Sequence, residues 1–157
     1  MRYERRVIAG LTLSGAALIG LAVHEGYRSD AYVPVPGDRA TIGFGDAEGV
    51  KPGQRTDPVR ALIRLGEHVQ RFEHRLRECI GDVPLHQHEW DALVSWTYNV
   101  GPEAACGSTL VRKLRQTPPD YRGACDELLK WDKFRGRSLP GLTKRRQQEH
   151  RLCLGTL

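Results

Sequence analysis

Glu25 follows an uncharged run, Val7 to Val23, and opens a polar, Gly/Pro-rich stretch, VHEGYRSDAYVPVPGDRATIGFG, over residues 23 to 45. A carboxyl with apolar neighbours on its N-terminal side, at the negative end of a helix, is disfavoured in its ionised form. Its pKa is therefore expected above the ordinary carboxylate range. A carboxyl that keeps its proton near neutrality is the kind of general acid that glycosidic cleavage requires. The residue types leave a plainer alternative open, in which Glu25 marks only the water-facing end of an export segment. Thr41 and Asp38 are the next polar candidates, but strand preference accounts for a β-branched threonine and turn chemistry for a Gly-Asp pair. His86 and His88 flank Gln87, a spacing that places them on different faces of a helix, so no metal site is read there and no cofactor is expected.

Elements that must position these groups can be read from periodicity. Tyr32, Val33 and Val35, then Thr41, Ile42 and Phe44, read as two strands around Pro36-Gly37-Asp38-Arg39, a hairpin with its turn. From Asp57, placed to cap Pro58, apolar residues at Leu62, Leu65, Val69, Phe72 and Leu76 predict a long amphipathic helix ending near Cys79 to Gly81. A second helix is predicted from about His86 to Val100, stopped by Gly101-Pro102. Others fit Ser108 to Leu114, Asp120 to Trp131 and Gly141 to Leu154. The expected class is α+β and predominantly helical, with a small β-hairpin lobe and a larger helical lobe. Lys144, Arg145 and Arg146 read as a solvated helix face.

At 157 residues, with a formal charge of +5, the chain is long enough for one domain with a real core and is suited to an anionic partner. Four dispersed cysteines, Cys79, Cys106, Cys125 and Cys153, lack zinc spacing and suit an oxidising compartment. The basic stretch Arg2 to Arg6 ahead of the uncharged run has the layout of an export signal. As a helix that run would reach about 25 Å, the short limit for crossing a bilayer. Gly10, Gly15 and Gly20 dilute it, so insertion is expected to be reversible. Two other readings are a removable signal cut after Ala22 and a buried N-terminal helix over residues 7 to 24.

The motifs resemble those of the phage-type lysozyme family of endolysins. The resemblance is carried by Glu25-Gly26, Tyr32, TIGFG (Thr41 to Gly45), DALVSWTYNVG (Asp91 to Gly101), GSTLVRKL (Gly107 to Leu114) and LPGLTKRRQQEHRL (Leu139 to Leu152). The N-terminus is similar to that of signal-anchor-release endolysins. The resemblance implies a lysozyme-like fold and cleavage of the β-1,4 bond between N-acetylmuramic acid and N-acetylglucosamine in peptidoglycan, with Glu25 as general acid and Thr41 opposite it. It implies that Tyr32, Phe44 and Asn99 border the saccharide. It also implies the pairings Cys79–Cys106 and Cys125–Cys153.

By the same resemblance, residues 1–24 are a signal-anchor-release segment that becomes the N-terminal helix, and residues 25–157 are one catalytic domain. The implied partners are peptidoglycan, the host Sec export machinery and, transiently through residues 7–23, the inner membrane. The protein is expected to be a monomer that binds no nucleic acid and is released into the periplasm of a Gram-negative host. The chain departs from the family motif where an aspartate between glutamate and threonine is replaced by Pro34 and Val35, leaving Asp38 as a candidate substitute. Two carboxylates serve hydrolysis, whereas one suffices for a lytic transglycosylase in which the sugar's 6-hydroxyl attacks. Both reactions stay open, and the competing class is a non-enzymatic, membrane-tethered wall- or nucleic-acid-binding module.

Overall fold

The computed structural model describes residues 4–157, so Arg2 and Tyr3 of the basic stretch lie outside the described residues. Two compact units emerge, one from residues 15–71 and one from residues 4–14 and 72–157.

In the first unit, α1 (Gly15–Glu25) leads into β2 (Arg28–Tyr32) and β3 (Thr41–Gly43), which pair antiparallel with Arg28 opposite Gly43 and Tyr32 opposite Thr41. β2 spends more residues than β3 between these pairs, so the ladder is bulged. The reversal after β2 is a turn closed by the Asp38 amide donating to the Val35 carbonyl at 2.9 Å. Pro36 and Gly37 (φ +87°) occupy its centre, the arrangement of a type II turn. α2 (Pro58–Ile80) begins where Asp57 accepts the Arg60 amide at 3.0 Å and proline takes the first helical position. Its buried residues in this unit are Ala61, Leu65 and Val69. β3 lies so close to α2 that a Cβ on Gly43 would meet the Ala61 methyl at 2.8 Å.

The second unit holds the rest of α2, with Leu76 and Ile80 buried, then α3 (Gln87–Val100), α4 (Pro102–Cys106), α5 (Thr109–Leu114), α6 (Tyr121–Glu127) and α7 (Pro140–Cys153). β1 (Arg6–Val7) pairs with β4 (Pro84–Leu85), and β5 (Lys133–Phe134) with β6 (Arg137–Ser138). Ser108 and Asp120 cap α5 and α6 through bonds to the Val111 and Gly123 amides. Pro102 both follows the end of α3 and opens α4, a short helix the periodicity does not reveal. Both disulfides are present, Cys79–Cys106 and Cys125–Cys153.

The uncharged run is not one helix. Ile8 and Leu11 are buried in the second unit, and the backbone from Ile8 to Ser14 is held by side chains of α2 and α3. Arg77 donates to the carbonyls of Ile8 and Leu11, and Gln87 to that of Thr12 at 2.7 Å. The Leu13 amide donates to Glu73 at 2.6 Å, and the Ser14 amide and hydroxyl to Asp91 at 2.9 and 2.7 Å. These groups satisfy backbone that an unbroken helix would have satisfied internally. Among the described residues no helix is long and apolar enough to cross a membrane.

The close approach at Gly43, at φ +63°, makes Gly43→Ala costly by about 2 to 4 kcal/mol through strain and overpacking. Gly37→Ala, in open space, should cost about 1 kcal/mol. Urea unfolding of both variants checks the difference.

Candidate functional site

Glu25 is the last residue of α1 and is half-buried. Gly26, at φ +71°, ends the helix with its amide on the Ala22 carbonyl at 3.0 Å. Leu21 and Ala22 anchor this last turn in protein, whereas Ile19 and Val23 face outward.

The TIGFG motif supplies the opposing backbone. Ile42 and Asp46 exchange both backbone hydrogen bonds, at 2.8 and 3.0 Å, so Gly43, Phe44 and Gly45 must turn within three residues. Both glycines take positive φ, +63° and +84°, which side-chain-bearing residues adopt at a cost. Phe44 then packs on Tyr27, ring centroids 5.4 Å apart, and the Tyr27 hydroxyl donates to the Thr56 carbonyl at 3.0 Å. Gly45 is thereby brought to the acid, where a Cβ built on it would lie 3.7 Å from a Glu25 carboxylate oxygen.

Charged groups hold the residues that follow the loop. Asp46 accepts Arg64 Nε at 3.0 Å and the Glu48 amide at 2.9 Å, with His68 Nε2 at 3.4 Å. Glu48 accepts Arg71 at 2.7 Å, a hydrogen bond that holds its carboxyl below the ordinary range. Arg64 is in turn pushed up by its bond to Asp46.

The other sequence candidates have defined surroundings. Thr41 is buried at the start of β3 and its hydroxyl donates to the Arg39 carbonyl at 3.3 Å. Asp38 is exposed, and one oxygen accepts the Arg39 amide at 2.8 Å. Asp30 is paired with Arg55 at 3.0 Å. Tyr32 lies on the strand with the Arg28 guanidinium 5.0 Å from its ring centre. Tyr27, which the sequence reading passed over, is the aromatic clasp of the loop. Its signal was an aromatic residue two places after the glutamate.

Asn99 belongs to the second unit, near the end of α3. Its Oδ1 accepts Arg146 Nη2 at 2.6 Å, and since arginine carries no acceptor, the amide N–H groups are left to donate elsewhere. Arg145 and Arg146 are buried, so the expectation of a solvated face holds only for Lys144. The reason is Glu149, one turn on, whose carboxylate oxygens lie 3.1 Å from Arg145 Nε and from Arg146 Nε. The Ser95 hydroxyl also donates to Glu149 at 2.8 Å. Burial pushes the Glu149 carboxyl up and the Arg146 guanidinium down, each opposed by the other's charge.

His86 and His88 do not lie on different faces of a helix. His86 precedes α3 in extended conformation, so helical spacing does not apply, and its ring stacks on His88 at 5.1 Å. His88 Nδ1 lies 3.1 Å from the Cys153 carbonyl. Among the described residues no group of three or more His, Cys, Asp or Glu side chains is arranged to hold a metal.

The family model described as Phage lysozyme matches residues 22–149. The endolysin of Bacillus phage B103 is 36% identical over 92% of this chain, and the match spans 54% of that endolysin, little more than half its length. The SAR-endolysin of Pseudomonas phage phiKMV is 34% identical over 88% of this chain and 86% of its own. Among solved structures, the muramidase domain of SpmX from Asticaccaulis excentricus superposes with a TM-score of 0.81 at 27% identity, covering 92% of this chain and 98% of that one.

Removing the Glu149 carboxylate leaves two buried guanidiniums short of their counter-charge. Glu149→Leu should therefore cost about 3 to 5 kcal/mol, read as a lowered denaturant midpoint.

Proposed function

Since the chain belongs to the phage lysozyme family, we propose that it is an endolysin that cleaves the β-1,4 bond between N-acetylmuramic acid and N-acetylglucosamine in peptidoglycan, with Glu25 as general acid. The observation that carries this reading is the half-buried carboxyl at the end of α1, faced by the Gly45 backbone, whose missing side chain keeps the space beside the acid open. Glu25 donates its proton to the leaving 4-oxygen of N-acetylglucosamine as the bond to the muramic anomeric carbon breaks. In hydrolysis, water adds to that carbon and its proton leaves to a base. Thr41 and Asp38 are the family-implied and substitute groups for orienting that water, and Tyr32, Phe44 and Asn99 for contacting sugar.

A second reading of the reaction type has an observation in its favour. Asp38 and Asp30, the nearest carboxylates in sequence to the missing aspartate, each bind a neighbour already. With Glu25 acting alone, the muramic 6-hydroxyl attacks the anomeric carbon and passes its proton to the Glu25 carboxylate, giving a 1,6-anhydro end. We take the chain to be exported, tethered through residues 7–23 and then released to the periplasm, a reading supported by the similarity to SAR-endolysins.

Glu25→Gln should abolish clearing in a peptidoglycan zymogram, a loss of about 10²-fold or more, while retaining the parent's circular dichroism. Clearing by that variant would overturn the assignment, as would binding without clearing by the parent. Masses of the released muropeptides separate the two reactions, since transglycosylation leaves products lighter by one water. The intact mass of the periplasmic form should include residues 1–22, and a form starting after Ala22 that still lyses walls would remove the tether reading.

A further inference from the structure

The segment between α6 and α7 carries a feature that none of the roles above uses. β5 and β6 form a hairpin with Phe134 opposite Arg137, so Arg135 and Gly136 alone make its turn. Both have positive φ, +50° and +78°, as a type I′ turn requires. Arg135 is the one non-glycine with positive φ among the described residues. Asparagine or glycine would suit that place better, so folding does not explain an arginine there.

The hairpin stands on a firm base. The Leu139 amide donates to the Asp132 carbonyl at 3.0 Å, and the Thr143 hydroxyl to the Asp132 carboxylate at 2.8 Å. Just before it, Trp131 meets the fully buried Trp96 edge-on at 5.3 Å. Above that base residues 133–138 are all exposed, and Phe134 shows 57% of its surface. Leu129 and Leu139, each 40% exposed, flank it. Lys133, Arg135 and Arg137 form no ion pair among the described residues, while Lys130 is paired with Glu127.

We propose that this hairpin docks on an anionic lipid surface, with Phe134 entering the interface and Lys133, Arg135 and Arg137 meeting headgroup phosphates. Three unpaired cations around an exposed ring match the charge and polarity gradient of such an interface. An acidic peptide would answer the charges but leave Phe134 in water. A sugar stacking on Phe134 would compete with the Arg135 guanidinium, which already lies 5.3 Å from the ring centre. The proposal is independent of the role given to Glu25.

The test is co-sedimentation of the full chain with phosphatidylcholine vesicles, with and without phosphatidylglycerol, and with purified peptidoglycan. All variants keep residues 7–23, so differences among them report the hairpin and not the N-terminal run. The parent should bind phosphatidylglycerol vesicles in a salt-sensitive way and phosphatidylcholine vesicles far less. Arg135→Asn should keep or raise the melting temperature yet weaken vesicle binding about fivefold, and adding Arg137→Thr about fivefold again. Phe134→Ser should weaken it further. Equal binding to both vesicle types, or vesicle binding unchanged in the variants, overturns the proposal. Loss of peptidoglycan binding with vesicle binding intact would assign the hairpin to the wall instead.

Discussion

The candidate site depends on one constraint, the closure of backbone between Ile42 and Asp46. Two mutual hydrogen bonds across three intervening residues force a reversal that only glycine makes cheaply, and glycine stands at both places where φ is positive. Everything near Glu25 in this unit follows. The reversal throws Phe44 onto Tyr27, packs Gly43 on Ala61, and presents Gly45 to the acid as bare backbone. A loop built this way is stiff. Arg64 and Arg71 brace it further through Asp46 and Glu48.

A different principle governs the helical unit, where charge is buried and matched. Glu73 accepts both Trp90 Nε1 and the Leu13 amide, while Asp91 takes two bonds from Ser14 and one from Gln87. Glu149 answers two arginines and a serine. Each carboxylate is too deep to be solvated and has at least one partner distant in sequence, so these side chains specify which segment packs there. That specificity matters most for residues 8–14, whose composition would also suit lipid. What recommends the protein interior to them is the set of polar groups waiting for their backbone, which a bilayer does not offer.

Much of the fold was legible because its signals are local. Asp57 before Pro58, Ser108, Asp120, and Gly81 after Ile80 act within a turn of themselves, and the structure uses each as a cap or stop. Both disulfides follow the family resemblance, which carried information that four spaced cysteines do not. The site was half legible. Glu25 and the TIGFG motif stood out, but Tyr27 did not, because its importance lies in a ring that arrives from residue 44. The β5–β6 hairpin escaped notice because its turn carries arginine where Asn-Gly would have announced it.

Composition and order alone determined a mostly helical α+β chain, an acid at the edge of an apolar run, and a turn at Pro36-Gly37. These rest on capping, periodicity and φ preferences, all settled between near neighbours. Tertiary structure alone decided that the apolar run divides at Ser14 and that two of three consecutive basic residues lie buried. It also decided that Gly45 meets Glu25. Each of these turns on a partner far along the chain, for the two arginines the Ser95 carbonyl and Asn99 in addition to the nearby Glu149, and whether an amide or a guanidinium prefers that partner to water is decided only when folding has removed the water.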